Sequence, residues 1–210
     1  GASVSMPGMM ETILNVGVTP LTLPALQNVT GNHFFALDSY RRFLEGFCKS
    51  ALNIDHPMFD AQTIEQAGLP DHIKDLETVI SERIGGERLC DARHLLNECI
   101  HAVIRSSKSA TAQAYRKKTG LSESQGTAVT IQAMVFGNTG ARSGTGVVFS
   151  RDPNSGEKKI CGDWISNAQG DDVVAGDSAT SDISVFGATH PSAYEELKLH
   201  LEHLEIFYQD

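Results

Sequence analysis

Between residues 33 and 120, apolar side chains recur every three or four positions, which predicts a series of amphipathic helices. Asp38 or Ser39 is a candidate cap for the first, because both residue types are strong N-caps. A second helix is predicted to begin at Pro70 and to end at Gly85. A short fourth helix is predicted over Ala110 to Lys118. The predicted apolar faces of the first three helices are Tyr40, Phe43, Leu44 and Phe47; Ile73, Leu76, Ile80 and Ile84; and Leu89, Ala92, Leu96, Cys99, Ile100, Val103 and Ile104.

The hydrophobic pattern changes after Gly120. The segment "GTAVTIQAMVFGN" is rich in β-branched residues and predicts a strand that ends at Gly137. Two further strands are predicted around the turn at residues 152–156, where Pro, Asn and Gly favour tight backbone geometry. Residues 170–189 are polar and predict a loop. A final helix is predicted from Pro191, with an inward face of Tyr194, Leu197, Leu201, Leu204 and Phe207.

These patterns predict an α+β chain in three parts. Residues 1–32 are punctuated by Gly, Pro and Thr and are interpreted as a loop-rich segment. Residues 33–120 form a helical subdomain, and residues 121–210 form a lobe with a small antiparallel sheet and a C-terminal helix.

Composition excludes several classes of protein. The chain has 210 residues, 40% hydrophobic, and a formal net charge of −9, which disfavours binding to nucleic acid. Backbone N–H groups can nevertheless hold a small anion. No apolar run approaches the roughly 20 residues that span a bilayer. The four cysteines form no CxxC pair, so we expect reduced thiols and a cytoplasmic protein.

Two glycine-containing segments are candidate phosphate sites. Gly8, in "SMPGMM", allows close approach of a ligand, and the run from Met9 is suited to begin a helix that points N–H groups at an anion. The alternative is a surface turn. The second segment, "GNTGARSGTG" at residues 137–146, is either a mobile flap that donates to a polyphosphate near Thr145 or a flexible hairpin.

Other candidate sites depend on weaker patterns. Met134 and Val135, in "TIQAMVFGN", are suited to the faces of an adenine ring, although a plain core strand has the same pattern. Glu196, His200 and His203 share one face of the last helix and are metal-ligand types. Their acidic neighbours favour a solvated helix face instead.

Four blocks, in this order, resemble the N-terminal nucleotide-binding domain of pyruvate, phosphate dikinases. They are "SVSMPGMMETILNVG", "GNHFFALDSYRRFLEGF", "GTAVTIQAMVFGNTGARSGTGVVFSRDPNSGEK" and "NAQGDDVVAG". The resemblance implies a partial ATP-grasp-like architecture with a helical insertion. It also implies ATP and Mg²⁺ as cofactors, and phosphate as a further ligand, in transfer of a phosphoryl group through a histidine to pyruvate.

The same resemblance assigns roles by position. Gly8 matches the phosphate-contacting loop, while Thr145 and Gly146 match a second glycine-rich flap. The adenine segment is matched by residues Gln132, Met134 and Val135. Asp210 matches an acidic residue at the edge of the metal and phosphate site, and is the candidate metal ligand. No catalytic residue is expected within the chain.

Departures from the family pattern lead us to expect an internal piece that is inactive alone. The family's upstream Lys and Arg, its downstream Glu and Gln-Thr-Arg, and its Thr-Ser-His motif are not in this sequence. Asp163 and Asp171 replace Glu, and residues 177–179 replace Arg-Thr-Pro. The expected partners are phosphohistidine and pyruvate-binding domains of a parent homo-oligomer. Two alternatives stay open: a non-catalytic nucleotide-sensing or interaction module, and a phosphoenolpyruvate synthase-like phosphotransferase.

Overall fold

The computed structural model describes residues 10–54, 68–122, 126–174 and 179–209, and shows the predicted α+β class. Gly8 and Asp210 lie outside these residues. The chain divides into two compact units, residues 1–134 and 135–210. The finer division at residues 32 and 120 stays a prediction. No helix in the described ranges is long and apolar enough to cross a membrane.

The first unit is helical wherever regular structure is described. Asn32, Asp91 and Ser109 each begin a helix with a side-chain oxygen that accepts a backbone N–H group of its first turn. Its elements are α1 (Leu23–Thr30), α2 (His33–Gly46), a π-helical turn (Phe47–Ala51), α3 (Leu69–Ile84), α4 (Gly86–Leu89), α5 (Ala92–Ser106) and α6 (Ala110–Thr119).

The predicted cap of the first long helix was wrong. Asn32 caps α2, because its side chain accepts a hydrogen bond from the Phe35 N–H at 3.0 Å. Asp38 lies inside the helix and forms ion pairs with Arg41 at 2.7 Å and Arg42 at 2.9 Å. Burial alone would raise the pKa of Asp38, but the charges of Arg42 and Arg41 hold this pKa below its usual value.

The ends of the later helices follow the glycine signals more closely. Gly85 ends α3 with φ of 90°, and Gly120 ends α6 with φ of 70°, both as predicted. The apolar stripe from Leu89 to Ile104 is not one helix. Asp91 interrupts it by capping α5, where its carboxylate accepts N–H groups from Arg93 and His94.

Helices α2, α3, α4 and α5 enclose the core of the first unit. The ring of Tyr40 is buried in this core, and its hydroxyl group donates a hydrogen bond to Glu77 Oε1 at 2.8 Å. The buried core comprises Tyr40, Phe43, Leu44, Phe47, Cys48, Ala51, Leu69, Ile73, Leu76, Ile80, Leu89, Leu95, Cys99 and Ala102.

The second unit is a three-stranded antiparallel sheet with helices. Strand β2 lies in the middle and pairs with both β1 and β3. The turn at residues 152–156 joins β1 and β2, as predicted. The elements are β1 (Gly144–Phe149), β2 (Cys161–Ser166), α7 (Gly170–Val174), β3 (Ser181–Asp182), α8 (Ile183–Thr189) and α9 (Pro191–Tyr208).

Aromatic rings join this sheet to α8 and α9. Trp164, at 9% exposure, lies 5.1 Å from the ring of Phe186 and 5.5 Å from the ring of His190. The Phe186 ring also contacts Tyr194 at 6.4 Å between centroids. These contacts pack apolar rings against β2, which supplies the hydrophobic face that a small three-stranded sheet needs.

Three predictions in this half were wrong. Residues 126–136 form no strand, and Ile131 and Val135 are 66% and 93% exposed, because no strand among the described residues pairs with them. The predicted loop at 170–189 contains α7, β3 and α8. On α9, Leu201 is buried as predicted, but Leu204 and Phe207 are exposed.

Candidate functional site: the glycine-rich segment

Residues 137–146, here called the glycine-rich segment, run into β1 at Gly144. The sequence pattern predicted that this segment links two strands. That prediction was wrong, because residues 126–136 are not a strand. The link between β1 and β2 is residues 150–160, which contain the turn at 152–156. The segment therefore presents its backbone beside the start of a paired strand rather than at the tip of a hairpin.

Close packing explains two glycines of this segment. A Cβ on Gly137 would collide with the carbonyl oxygens of Ala168 and Gly144. A Cβ on Gly146 would lie 2.8 Å from the Asp163 carbonyl oxygen and 3.1 Å from the Trp164 Cβ. Any larger residue would force the strands apart. Packing alone thus favours glycine here, without a ligand.

Thr145 is half-buried and faces the helix that follows β2. A Cβ on Gly170 would lie 3.9 Å from Thr145 Oγ1, which puts this hydroxyl next to the start of α7. The first turn of α7 carries Asp171 and Asp172. The structure therefore places Thr145 beside the start of α7, whose first turn carries two acidic residues that the sequence pattern did not identify as site residues. The signal was available in "NAQGDD", where an acidic pair follows a glycine.

The predicted adenine segment straddles the boundary between the two units. Gln132 and Met134 belong to the first unit, and Val135 belongs to the second. Gln132 and Val135 are exposed, while Met134 is half-buried. Their contact with a nucleotide stays a prediction.

The charge environment differs along the second unit. Arg142 is exposed within the glycine-rich segment. Arg151 and Lys158 instead pair with Glu205 of α9, at 2.9 and 3.3 Å. Desolvation would raise the pKa of Glu205, but Lys158 and Arg151 hold it below its usual value. These two cations therefore tie the 150–160 turn to α9.

No group of three or more His, Cys, Asp or Glu side chains within the described ranges is arranged to hold a metal ion. His200 Nε2 lies 3.7 Å from Glu196 Oε1, and both side chains are largely exposed, which fits the solvated-face interpretation. Asp171 and Asp172 offer the oxygen atoms that Mg²⁺ prefers. The candidate ligand Asp210 and the substituted residues Asp177 and Ser178 lie outside the described residues.

The helix predicted after Gly8 was wrong where it is described. Residues 11–14 have no helical structure. The Glu11 N–H donates to Ser106 Oγ at 3.0 Å, and Ser50 donates to the Glu11 carboxylate at 2.9 Å. This N–H group is therefore used within the first unit rather than directed at an anion.

The described residues thus form an α+β chain in which a glycine-rich segment leads into a paired strand beside the start of a helix. The family model "Pyruvate phosphate dikinase, AMP/ATP-binding domain" matches residues 1–210, and the chain belongs to this family.

Curated relatives agree with this assignment. The chain is 40% identical over 225 residues to the chloroplastic pyruvate, phosphate dikinase of Flaveria trinervia, covering 100% of this chain and 23% of the relative. It is 39% identical over 228 residues to pyruvate, phosphate dikinase of Rickettsia prowazekii (strain Madrid E), covering 100% and 26%. For pyruvate, phosphate dikinase 2 of Zea mays the values are 37% over 224 residues, 100% and 25%. The chain spans about a quarter of the length of these relatives.

Proposed function

We propose that this chain is the nucleotide-binding part of an ATP-dependent dikinase. The observation that carries the proposal is the family match over all 210 residues. The whole protein would convert ATP, phosphate and pyruvate to AMP, pyrophosphate and phosphoenolpyruvate through a phosphohistidine on another domain. We further propose that this parent is a cytoplasmic homo-oligomer.

In this proposal the glycine-rich segment holds the polyphosphate of ATP. The Thr145 hydroxyl and the Gly146 backbone would donate hydrogen bonds to phosphate oxygens, which need no net positive charge. The exposed Arg142 would add one positive charge at this segment. Gly8 is proposed as a further phosphate contact, by its position in the sequence.

Adenine recognition and metal binding use other residues in the proposal. Gln132 would face the adenine edge, while Met134 and Val135 would contact its faces. Mg²⁺ would neutralise and orient the phosphates, with Asp210 as a ligand. The two carboxylates at the start of α7 are of the type that fits this ion.

The rest of the parent would supply what this chain lacks. A net charge of −9 opposes the binding of a triphosphate unless cations offset it. We therefore expect the isolated chain to bind Mg-ATP more weakly than millimolar in a calorimetric titration. A low-micromolar dissociation constant would contradict the shared-site proposal. It would favour the nucleotide-sensing alternative if the full-length protein showed no turnover.

Activity of the full-length protein tests the proposed reaction directly. Purified protein with Mg-ATP, phosphate and pyruvate should form phosphoenolpyruvate, measured by ³¹P NMR, and formation should require phosphate. Thr145→Val removes one phosphate donor and should raise the KM for ATP about tenfold, equivalent to about 1.4 kcal/mol. Thr111→Val, on the exposed surface of α6, is the matched control and should leave this KM unchanged.

Each negative result has a distinct meaning. If no ATP-dependent product forms with the wild-type protein, the dikinase proposal is wrong. If product forms without phosphate, the phosphoenolpyruvate synthase-like alternative is favoured. If Thr145→Val matches Thr111→Val in a working enzyme, the role of Thr145 is wrong while the reaction stands.

A further inference from the structure

Gln169, at 1% exposure, is the most deeply buried polar side chain among the described residues of the second unit. Glutamine is mostly a surface residue, and its amide is costly to bury without hydrogen bonds. Its Nε2 donates to Oδ1 of Asn138, which is itself 8% exposed, at 3.2 Å. This buried amide pair joins the glycine-rich segment to the chain that follows β2.

Further contacts fix the same part of the glycine-rich segment. The Asn167 N–H donates to the Ser143 carbonyl oxygen at 2.7 Å. Ser143 Oγ accepts from the Gly140 N–H at 3.0 Å and lies 2.7 Å from the Gly140 carbonyl oxygen, to which it donates. The backbone of Gly137 packs against Ala168 so closely that no Cβ fits. The segment is thus held at several points, which fits neither a freely flexible hairpin nor a mobile flap.

The other end of the amide pair is connected to α7. The Gln169 N–H donates to Asp172 Oδ2 at 2.8 Å. Helix α7 also approaches the β1 hydroxyl of Thr145. Gln169 therefore contacts both the segment that leads into Thr145 and the helix that lies beside it.

From this geometry we infer that Asn138 and Gln169 are positioning residues for the proposed nucleotide site. Their amide pair holds the glycine-rich segment and the start of α7 as one body, so that Thr145, Gly146 and the α7 carboxylates keep a fixed spacing. The inference rests on the proposed function. The pair acts through the segment and not on the nucleotide itself.

A side-chain exchange tests whether the amide pair sets this spacing. In the full-length protein, Gln169→Asn shortens the pair by one methylene and Asn138→Gln lengthens it. The double variant exchanges the two residues and restores the combined length. Each single variant should raise the KM for ATP about tenfold, with the KM for pyruvate and kcat within about twofold, since one net hydrogen bond is worth about that much. The exchanged double variant should recover most of the loss.

Two further variants separate positioning from folding. Gln113→Asn makes the same chemical change on the exposed surface of α6 and should leave all kinetic constants unchanged. Ser143→Ala removes the hydroxyl bonds to Gly140 and leaves the amide pair intact. It should raise the KM for ATP about threefold, and it keeps the test available if the single amide variants fail to fold. Thermal unfolding of every variant reports folding independently.

Selective loss of ATP affinity with recovery in the exchanged variant would support the inference. Wild-type KM values in folded single variants would overturn it. The inference would also be overturned if kcat and every KM worsened together in proportion to the loss of thermal stability. If the single variants do not fold, a wild-type KM for ATP in Ser143→Ala would overturn it. A wild-type protein that neither binds nor turns over ATP would instead refute the proposed function.

Discussion

Gly146→Ala separates packing from ligand contact at the glycine-rich segment. The added methyl group would sit 2.8 Å from the Asp163 carbonyl oxygen and 3.1 Å from the Trp164 Cβ. Both distances are well inside an ordinary carbon contact of about 3.5 Å or more. The cross-strand partner of Gly146 is Trp164, so relief requires moving β1 away from β2. We expect a destabilisation of about 2 kcal/mol, typical of overpacking against backbone.

Urea unfolding of the 210-residue chain measures this cost without any nucleotide. Trp164 is the single tryptophan of the sequence and adjoins the substituted position, so its fluorescence reports the second unit. Gly46→Ala is the control of opposite sign. Gly46 has helical angles (φ −60°, ψ −38°) and nothing within 4 Å of its Cβ position, so alanine should stabilise the first unit by about 0.5 kcal/mol, measured by circular dichroism. Unchanged stability of Gly146→Ala would show that the crowding argument is wrong.

Three further predictions concern the first unit, each measured by urea unfolding. Tyr40→Phe removes the buried hydroxyl bond and should cost about 1 kcal/mol; an equal midpoint would contradict this. Asp38→Asn should cost about 2 kcal/mol at pH 7. Because its native pKa is lowered, the deficit should shrink as the pH falls below the ordinary value of 3.8, and a deficit independent of pH would refute the ion-pair explanation. Burial raises the pKa of Cys48 and Cys99 from 9.0 to about 12, so stability should fall as the pH rises between those values; replacing both with alanine should reduce that slope.

Helix positions in the first unit were largely accessible from sequence. Gly85 and Gly120 were correctly predicted to end helices. Both have positive φ angles, and glycine adopts such angles with the least steric strain because it has no Cβ. The start of α2 was missed, since Asn32 and Asp38 are both good N-caps and sequence alone does not choose between them. In the structure the Asp38 carboxylate forms ion pairs with Arg41 and Arg42 instead of capping the helix.

Strand prediction succeeded only where pairing is local. Strands β1 and β2 are consecutive in the chain, so their antiparallel pairing needs only the turn at 152–156 between them. Residues 126–136 have equal β propensity but no partner strand among the described residues, so the propensity is not realised. The exposed Leu204 and Phe207 of α9 show the same limit, because helical spacing defines a face without saying what covers it.

Sequence by itself determined the family, the mixed α+β class, the helix stops and the β1–β2 hairpin, because these depend on motifs, backbone sterics and neighbours close in the chain. Only the tertiary structure decided that Gln169 is buried against Asn138 and that α7 lies beside Thr145. Those contacts join residues that are far apart in the chain. Their formation depends on burial and hydrogen bonding in the assembled unit, which no local pattern encodes.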